Sequence, residues 1–461
     1  MAALRTEPLD FAPTARFLAF AIDELAELGT SSGGLVCAAE RRAALALFER
    51  FGAEPRAYPK GWRHDYAALD YSDLAWSSGR ARSAALPPVS SQARVRDVGA
   101  GDDAPALAIE NAGGIVHVGS TYLQPQRSRV DPRVTLLALA DAQRSHAAGV
   151  AATHGRLLGA RDDRFVALAT AFQNCGAYVE IPSGVELDAP LQILWTPQPG
   201  SRAAVFAQTV VRVGEGARVT IVERYVGAGD SFVAATVEID LSPGARLDYV
   251  VVDDADDGAR IVTRRAVRCG SRSRFGASTA HLGAALVRDT LDVRLNGDDA
   301  SVDIAALFYA RGYSHVDLDI ASAHRGVRTT THVVVRKAAT DRARGRSFAN
   351  LRVDADATET RATLRDDALL LSRDAYLEAT PHLEVDASLV RIAQGANVGT
   401  LDEDALFYIG SRGISRRRAE RMMALAFFEP AIERFPGESL RDEVRTLLDE
   451  RLDAIPETFA Q

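Results

Sequence analysis

Hydrophobic positions along the chain follow two different rhythms. Within the first 85 or so residues, Phe17, Phe20, Ile22 and Leu25, and then Leu45, Leu47, Phe48 and Phe51, recur near helical spacing and predict helices. The segment Ser72 to Ser91, with Pro87-Pro88, reads as a linker. From about residue 105 to 400 the rhythm shortens to alternating runs. Ala108-Ile109-Glu110, Val116-His117-Val118, Tyr178-Val179-Glu180-Ile181, Val210-Val211-Arg212-Val213 and Val219-Thr220-Ile221-Val222-Glu223 read as strands, with Gly and Asp between many of them. Similar turn–strand units recur at Gly214-Glu215-Gly216-Ala217-Arg218-Val219, Pro243-Gly244-Ala245-Arg246-Leu247 and Gly395-Ala396-Asn397-Val398, at irregular spacing. So many short strands exceed one sandwich, and stacked β-rungs, each hiding its apolar face against its neighbours, suit them better. Periodicity alone leaves a solenoid and a pair of sandwiches both open.

One helical insert is predicted at Pro132 to His146, where Val134, Leu137 and Ala138 share a face. After about residue 403 the helical rhythm returns. Ser415 is placed to cap a helix running through Ala419, Met422, Met423, Ala426 and Phe427, and Pro436-Gly437 ends it. Ser439 to Asp442 has the spacing of a capping box for a last helix, with Val444, Leu447, Leu448 and Leu452 on one face. The expected layout is a helical N-terminal region with linker over 1–100, a β core over 101–403, and a helical C-terminal region over 404–461.

Composition narrows the function classes. Hydrophobic residues form 47% and charged residues 25% of 461, as in ordinary globular proteins. No run of about 18 apolar residues is present, which argues against a transmembrane helix. Met1 to Phe20 carries Glu7 and Asp10 and does not read as a secretory leader. Cys37, Cys175 and Cys269 are far apart, with no Cys-x-x-Cys, which fits a reducing cytoplasm. A net charge of −8 gives no nucleic-acid footprint. Lysines occur only at Lys60 and Lys337, neither inside a phosphate-binding glycine loop, so any ATP-driven step belongs to another chain.

The familiar catalytic motifs are absent: no Gly-x-Ser-x-Gly, His-Glu-x-x-His or dinucleotide fingerprint occurs. His315, Asp317, His324 and His332 have the residue types of a metal or acid–base site, but polar positions on successive strands explain them more simply. Asp253-Asp254-Ala255-Asp256-Asp257-Gly258 lacks the later bidentate Glu of a calcium loop and reads as an acidic turn. Met422 and Met423 beside Phe427 and Phe428 form an apolar stripe suited either to packing or to a partner.

A long ordered stretch near the C-terminus resembles a known family. It runs Leu369-Leu370-Leu371-Ser372-Arg373-Asp374-Ala375, Thr380-Pro381-His382-Leu383-Glu384-Val385, Gly395-Ala396-Asn397-Val398-Gly399-Thr400-Leu401-Asp402-Glu403, Leu406-Phe407-Tyr408 and Ser411-Arg412-Gly413-Ile414. Its order and spacing are similar to the C-terminal signature of the SufB/SufD iron–sulfur cluster assembly scaffolds. Gly176 to Val185, followed by Ala189-Pro190-Leu191-Gln192, resembles the family's entry into its β core. The likeness covers roughly residues 105 to 435, and the N-terminal part, with Trp62 and Tyr66, is only loosely similar.

The resemblance implies a right-handed parallel β-helix flanked by helical domains, in a non-catalytic scaffold paired with a SufB-type chain and a SufC-type ATPase. The ATPase would dock on the C-terminal helices, where Met422, Met423, Phe427 and Phe428 are candidate contacts. It implies no firmly bound cofactor, with a nascent cluster passing through the complex interface. SufB proteins carry a cysteine where this chain has Arg365-Asp366-Asp367-Ala368-Leu369, so the chain looks closer to SufD. SufD proteins commonly show Cys-x-His before Gly-Ala-x-Val-Gly, where Ile392 and Gln394 stand here. An amide is a poor iron ligand, so Gln394, with Asp402, Glu403 and His382, is a candidate for the interface or cluster region rather than an assigned ligand set. A self-pairing SufB-like scaffold and a β-helix carbohydrate-active enzyme are the competing readings. A homodimer of the isolated chain is compatible with either scaffold reading.

Overall fold

The computed structural model describes residues 38–53, 112–119, 121–122, 130–196, 204–227 and 230–453. It opens with helix α1 (Ala38–Ala53), strands β1 (Gly113–Val118), β2 (Thr121–Tyr122) and β3 (Thr135–Ala138), and helices α2 (Leu139–Ser145), α3 (Ala147–Thr153) and α4 (Arg164–Phe172). A long strand series follows: β4 (Cys175–Ile181), β5 (Leu191–Thr196), β6 (Ala204–Val213), β7 (Arg218–Gly227), β8 (Phe232–Leu241), β9 (Arg246–Ala255), β10 (Arg260–Cys269) and β11 (Arg274–His281). It continues through β12 (Leu286–Leu295), β13 (Ser301–Ala310), β14 (His315–His324), β15 (Thr330–Ala339), β16 (Arg344–Val353), β17 (Arg361–Leu370), β18 (Tyr376–Val385) and β19 (Arg391–Thr400). The helices α5 (Glu403–Ser411), α6 (Arg416–Ile432) and α7 (Glu438–Leu452) close the described chain.

From β4 onward consecutive strands alternate between two sheets and pair in parallel with the strand two places on. One sheet runs β19-β17-β15-β13-β11-β9-β7-β5-β1-β2 and the other β18-β16-β14-β12-β10-β8-β6-β4-β3. This is a parallel β-solenoid, each rung giving one strand to each sheet. The pairing is in strict register: Ile221, Tyr249, Ala277, Ile304, Val333, Leu364 and Gln394 form one stack. Alternation then sends one set of side chains into the lumen, where Val219, Ile221, Leu247, Tyr249, Phe275, Ile304 and Val335 join one core.

One corner explains why rungs repeat without a strict sequence repeat. Gly184, Gly216 and Gly244 turn there with φ of 69°, 66° and 69°, and later rungs place Arg272, Asp299, Arg328, Glu359 and Leu389 in the same left-handed region. The backbone shape recurs while the residue changes, because stacked turns hold each other. Gly184 N donates to Glu215 O, Gly216 N to Pro243 O and Gly244 N to Ser271 O.

The outer faces are covered by helices. Phe165, Leu168 and Phe172 of α4, with Leu45 and Phe48 of α1, pack on Phe206, Phe232 and Val262. Arg41 donates to Ala171 O and Gln173 O, capping the carbonyl end of α4. On the opposite sheet, Phe428, Ile432, Val444 and Leu448 of the α6–α7 hairpin cover Val222, Val250, Val252 and Val334. Arg224 pairs with both oxygens of Glu443, and Arg451 donates to Asp254.

Several sequence expectations shift. The insert expected at Pro132 to His146 begins as a strand: Thr135–Ala138 pairs antiparallel with β4, and the helices occupy Leu139 to Phe172 instead. Gly395 to Val398 lies within β19 and makes no turn. Ser415 sits at the N-cap of α6 but its hydroxyl makes no capping bond. The α7 N-cap is Gly437, so Ser439 lies inside the first turn. Asp253 and Asp254 end β9, leaving Asp256 and Asp257 in the turn. Ala108 to Glu110, Phe17 to Leu25, the proposed linker, Trp62, Tyr66, Lys60 and Cys37 lie outside the described residues. No helix among the described residues is long and apolar enough to cross a membrane.

Candidate functional site

Among the described residues the last rung ends without a cover. β18 pairs with β16 and β19 with β17, and no further strand pairs with either among the described residues. Both edges therefore present a row of backbone donors and acceptors over ten residues. Inside this rung Leu383 and Ile392 pack against the core from above while Val385 and Val398 remain exposed. Leu389, in the left-handed corner turn, is 78% exposed. An apolar lumen that stops at solvent calls for an abutting surface.

Gln394 and His382 belong to this open rung, on opposite sheets. Gln394 stacks on Leu364 and faces the lumen side of β19. His382 lies 5.9 Å from Phe348, ring over ring, and its Nδ1 is 3.2 Å from Asn350 Oδ1. Asp402 and Glu403 have other duties. Asp402 accepts from the backbone N–H groups of Asp404 and Ala405 as the N-cap of α5, and Glu403 receives two hydrogen bonds from Arg416. That guanidinium holds the Glu403 carboxyl below its ordinary range.

Beneath the open rung the lumen carries charge. Lys337 Nζ lies 2.5 Å from Asp366 Oδ1 and also donates to Ser347 Oγ, and Ser347 donates to Asp366 Oδ2 at 2.6 Å. Burial pushes the Lys337 ammonium down, and Asp366 opposes that. Deeper along the solenoid, Arg265 donates to Asp289, with Thr263 Oγ1 at 2.5 Å from Asp289 Oδ1 and His281 Nε2 at 3.2 Å from Oδ2. Burial alone would raise Asp289, but Arg265 and His281 hold its carboxyl far below the usual range. Further back, Glu223 accepts from Trp195 Nε1 and Tyr249 Oη, each at 2.7 Å, and burial raises its carboxyl. These groups were legible one at a time, as charged residues in the inward phase of apolar strands. Their meeting in one lumen was not.

The histidines flagged in sequence go to separate partners. His315 Nε2 is 3.4 Å from Asp317, His324 Nδ1 is 2.8 Å from Thr329 Oγ1, and His332 Nε2 is 2.9 Å from Arg434. Among the described residues no group of three or more His, Cys, Asp or Glu is arranged to hold a metal ion. Cys175 and Cys269 are buried, and burial pushes both thiols up, Cys269 to about 12. Thiolate donors of iron are thus disfavoured at both positions.

Of the apolar stripe, Phe428 is fully buried and Phe427 packs against the same core, so those two hold the hairpin down. Met423 is half-buried and Met422 is exposed. The exposed apolar surface nearby comes instead from Phe407, 80% exposed, and Tyr408, 59% exposed, on α5. Their sequence run was noted, but the exposed face of so short a helix has no separate signal.

Comparison with known proteins gives a consistent result. A family model described as "SUF system FeS cluster assembly, SufBD core domain" matches residues 196–427. The chain is 24% identical over 297 residues to the iron–sulfur cluster assembly protein SufD of Bacillus subtilis (strain 168), covering 63% of this chain and 67% of that one. It is 25% identical over 283 residues to a SufBD family protein of Staphylococcus saprophyticus, covering 60% of each. It is likewise 25% identical over 281 residues to SufB of Bacillus subtilis, again covering 60% of each.

Proposed function

Given that this chain belongs to the SufBD family of iron–sulfur cluster assembly proteins, we propose that it is a SufD-like scaffold subunit that works by pairing rather than by turnover. Its partner is a SufB-type chain, seated on the open rung of β18 and β19, and the exposed apolar face of α5 and α6 docks a SufC-type ATPase. The assembly would work in the cytoplasm. The observation that carries this reading is the uncovered last rung, with ten-residue strand edges and an apolar lumen mouth. An abutting solenoid of the same build supplies matching edges and a matching lumen.

The cluster is cargo in this reading, and this chain contributes little to holding it. Gln394 and His382 stand on the open rung, and Asp366, where SufB relatives are expected to carry the sulfur-accepting cysteine, is closed off by Lys337 and Ser347. An amide and a salt-bridged carboxylate are poor acceptors of sulfane sulfur. The thiolate chemistry then falls to the partner.

Co-expression with a SufB-type chain and its ATPase, followed by affinity capture and light scattering, tests the reading. A stable complex containing all three is expected. Recovery of free chain alone overturns it. A homodimer that excludes the SufB-type chain would instead support self-pairing through the same rung, and anaerobic reconstitution would then report whether that dimer retains iron and sulfide.

A further inference from the structure

The corner opposite the turns of Gly184, Gly216 and Gly244 is uneven. β9 and β13 each run ten residues, whereas β11 between them runs eight and stops at His281. The connection Leu282 to Ala285 turns back early and is drawn against the rung below. At Gly283 a Cβ would meet Ala255 O at 2.0 Å, so a side chain is excluded there. The retraction opens a cavity of about 400 Å³ between the turn holding Asp257 and the turn from Arg311 to Ser314. That size lies within the ordinary range of small-molecule sites.

Its chemistry is specific. Leu282, Gly283, Ala284 and Ala285 give it an apolar lining. Tyr309 lines the wall and is 3% exposed. Arg311 Nη2 donates to Asp257 Oδ1 at 2.6 Å, while its Nε is buried without a partner among the described residues. Tyr313 is almost wholly exposed on the rim, with the Arg342 guanidinium 6.0 Å from its ring centre. Asp341 is already engaged by Gly312 N at 2.8 Å. The Asp257 carboxylate is itself a largely exposed loop group, so its hold on Arg311 is weak and exchangeable.

We propose that this corner cavity binds a small planar molecule bearing a phosphate or carboxylate group. The anion takes the place of Asp257 on Arg311, whose fork of donors suits either group. The Tyr309 hydroxyl donates to the same anion, and the planar body lies on Gly283 to Ala285 beside Tyr313. The site is separate from the pairing rung and from the α5–α6 face, and it does not depend on the assembly role.

Calorimetric titration of the full chain with adenosine 5′-monophosphate and with benzoate tests this, with inorganic phosphate and adenosine as the separated halves. At least one of the two planar anions is expected to bind, and more tightly than either half. Arg311→Gln should weaken it roughly 10-fold. Ala285→Trp, which fills the cavity, should abolish it. Asp257→Asn should strengthen it by removing the competitor, a gain that a misfolded variant cannot mimic. If neither planar anion binds at millimolar concentration, or if binding ignores both Arg311→Gln and Asp257→Asn, the proposal is wrong. Preference for the nucleotide over benzoate, or the reverse, identifies which anion the site takes.

Discussion

Lys337 Nζ and Asp366 Oδ1 stand 2.5 Å apart in the lumen, and neither side chain reaches solvent. Such a pair is costly to break and cheap to replace. Lys337→Met leaves the Asp366 carboxylate buried beside Ser347 alone and should lower stability by about 3–5 kcal/mol. The double variant Lys337→Met with Asp366→Leu should recover most of that loss. Urea midpoints of the two proteins decide it: a single variant as stable as the parent would mean that the lumen is wet at this rung.

His281 makes a pH-dependent contribution. Burial alone would lower its pKa, but Asp253, with Oδ2 at 3.7 Å from Nδ1, and Asp289 raise it above the ordinary 6.5. A raised folded value means that the stabilisation is complete below about 6.5 and is lost as pH climbs through the folded pKa. Unfolding free energy should therefore decline across that alkaline window. In His281→Gln the decline should flatten, measured by denaturant titration at several pH values.

Glu238 pins the helical insert to the solenoid. Its carboxylate accepts from the backbone N–H groups of Gly155 at 2.6 Å, Arg156 at 3.0 Å, Leu157 at 2.7 Å and Leu158 at 3.3 Å. Glu238→Gln removes the charge and half of the acceptor capacity. Amide exchange at Leu157 and Leu158 should accelerate, with a global loss of about 1–3 kcal/mol. Unchanged protection at both amides would show that the loop holds itself.

The corner turns give a backbone test free of side-chain contacts. A Cβ at Gly216 meets nothing within 4 Å, yet its φ is 66°. Gly216→Ala should thus cost about 1 kcal/mol through conformation alone. Glu359→Gly, at φ 58°, should gain by a similar amount. Thermal melts that move both variants in the same direction would contradict this account.

On the open rung, Val398→Arg and Ala396→Arg place charge where an abutting solenoid would pack. Both positions are already exposed, so the isolated chain should keep its melting temperature within the scatter usual for surface changes. Association with the SufB-type partner should drop by more than 10-fold, read by light scattering of the mixture. Retained association would move the pairing surface elsewhere.

Much of this architecture was legible in the chain, but for two different reasons. Alternation in Val219 to Glu223 and in Tyr178 to Ile181 set strands in the right places because inward and outward phases differ in polarity. It could not choose a solenoid over sandwiches, since both bury every second residue. The run from Leu369 to Ile414 supplied that choice by resemblance. The errors fell where one residue type serves two backbones. Gly395 looks like a turn glycine but sits within a strand. Ser439 looks like a cap but follows Gly437, which takes that place. Phe428 looked available to a partner because sequence shows a stripe and not which sheet lies under it. Lys337 and Asp366 were noted separately, and only stacking β15 on β17 brings them together.

The α6–α7 hairpin bears on how the chain is made. Synthesis proceeds from the N-terminus, so β7 and β9 leave the ribosome some two hundred residues ahead of the helices that cover them. Until Phe428, Val444 and Leu448 emerge, the outward stripe of Val222, Val250 and Val252 lacks the cover that, among the described residues, those side chains give it. A chain truncated before α6 loses that cover, and such exposed apolar surface is the kind that chaperones bind.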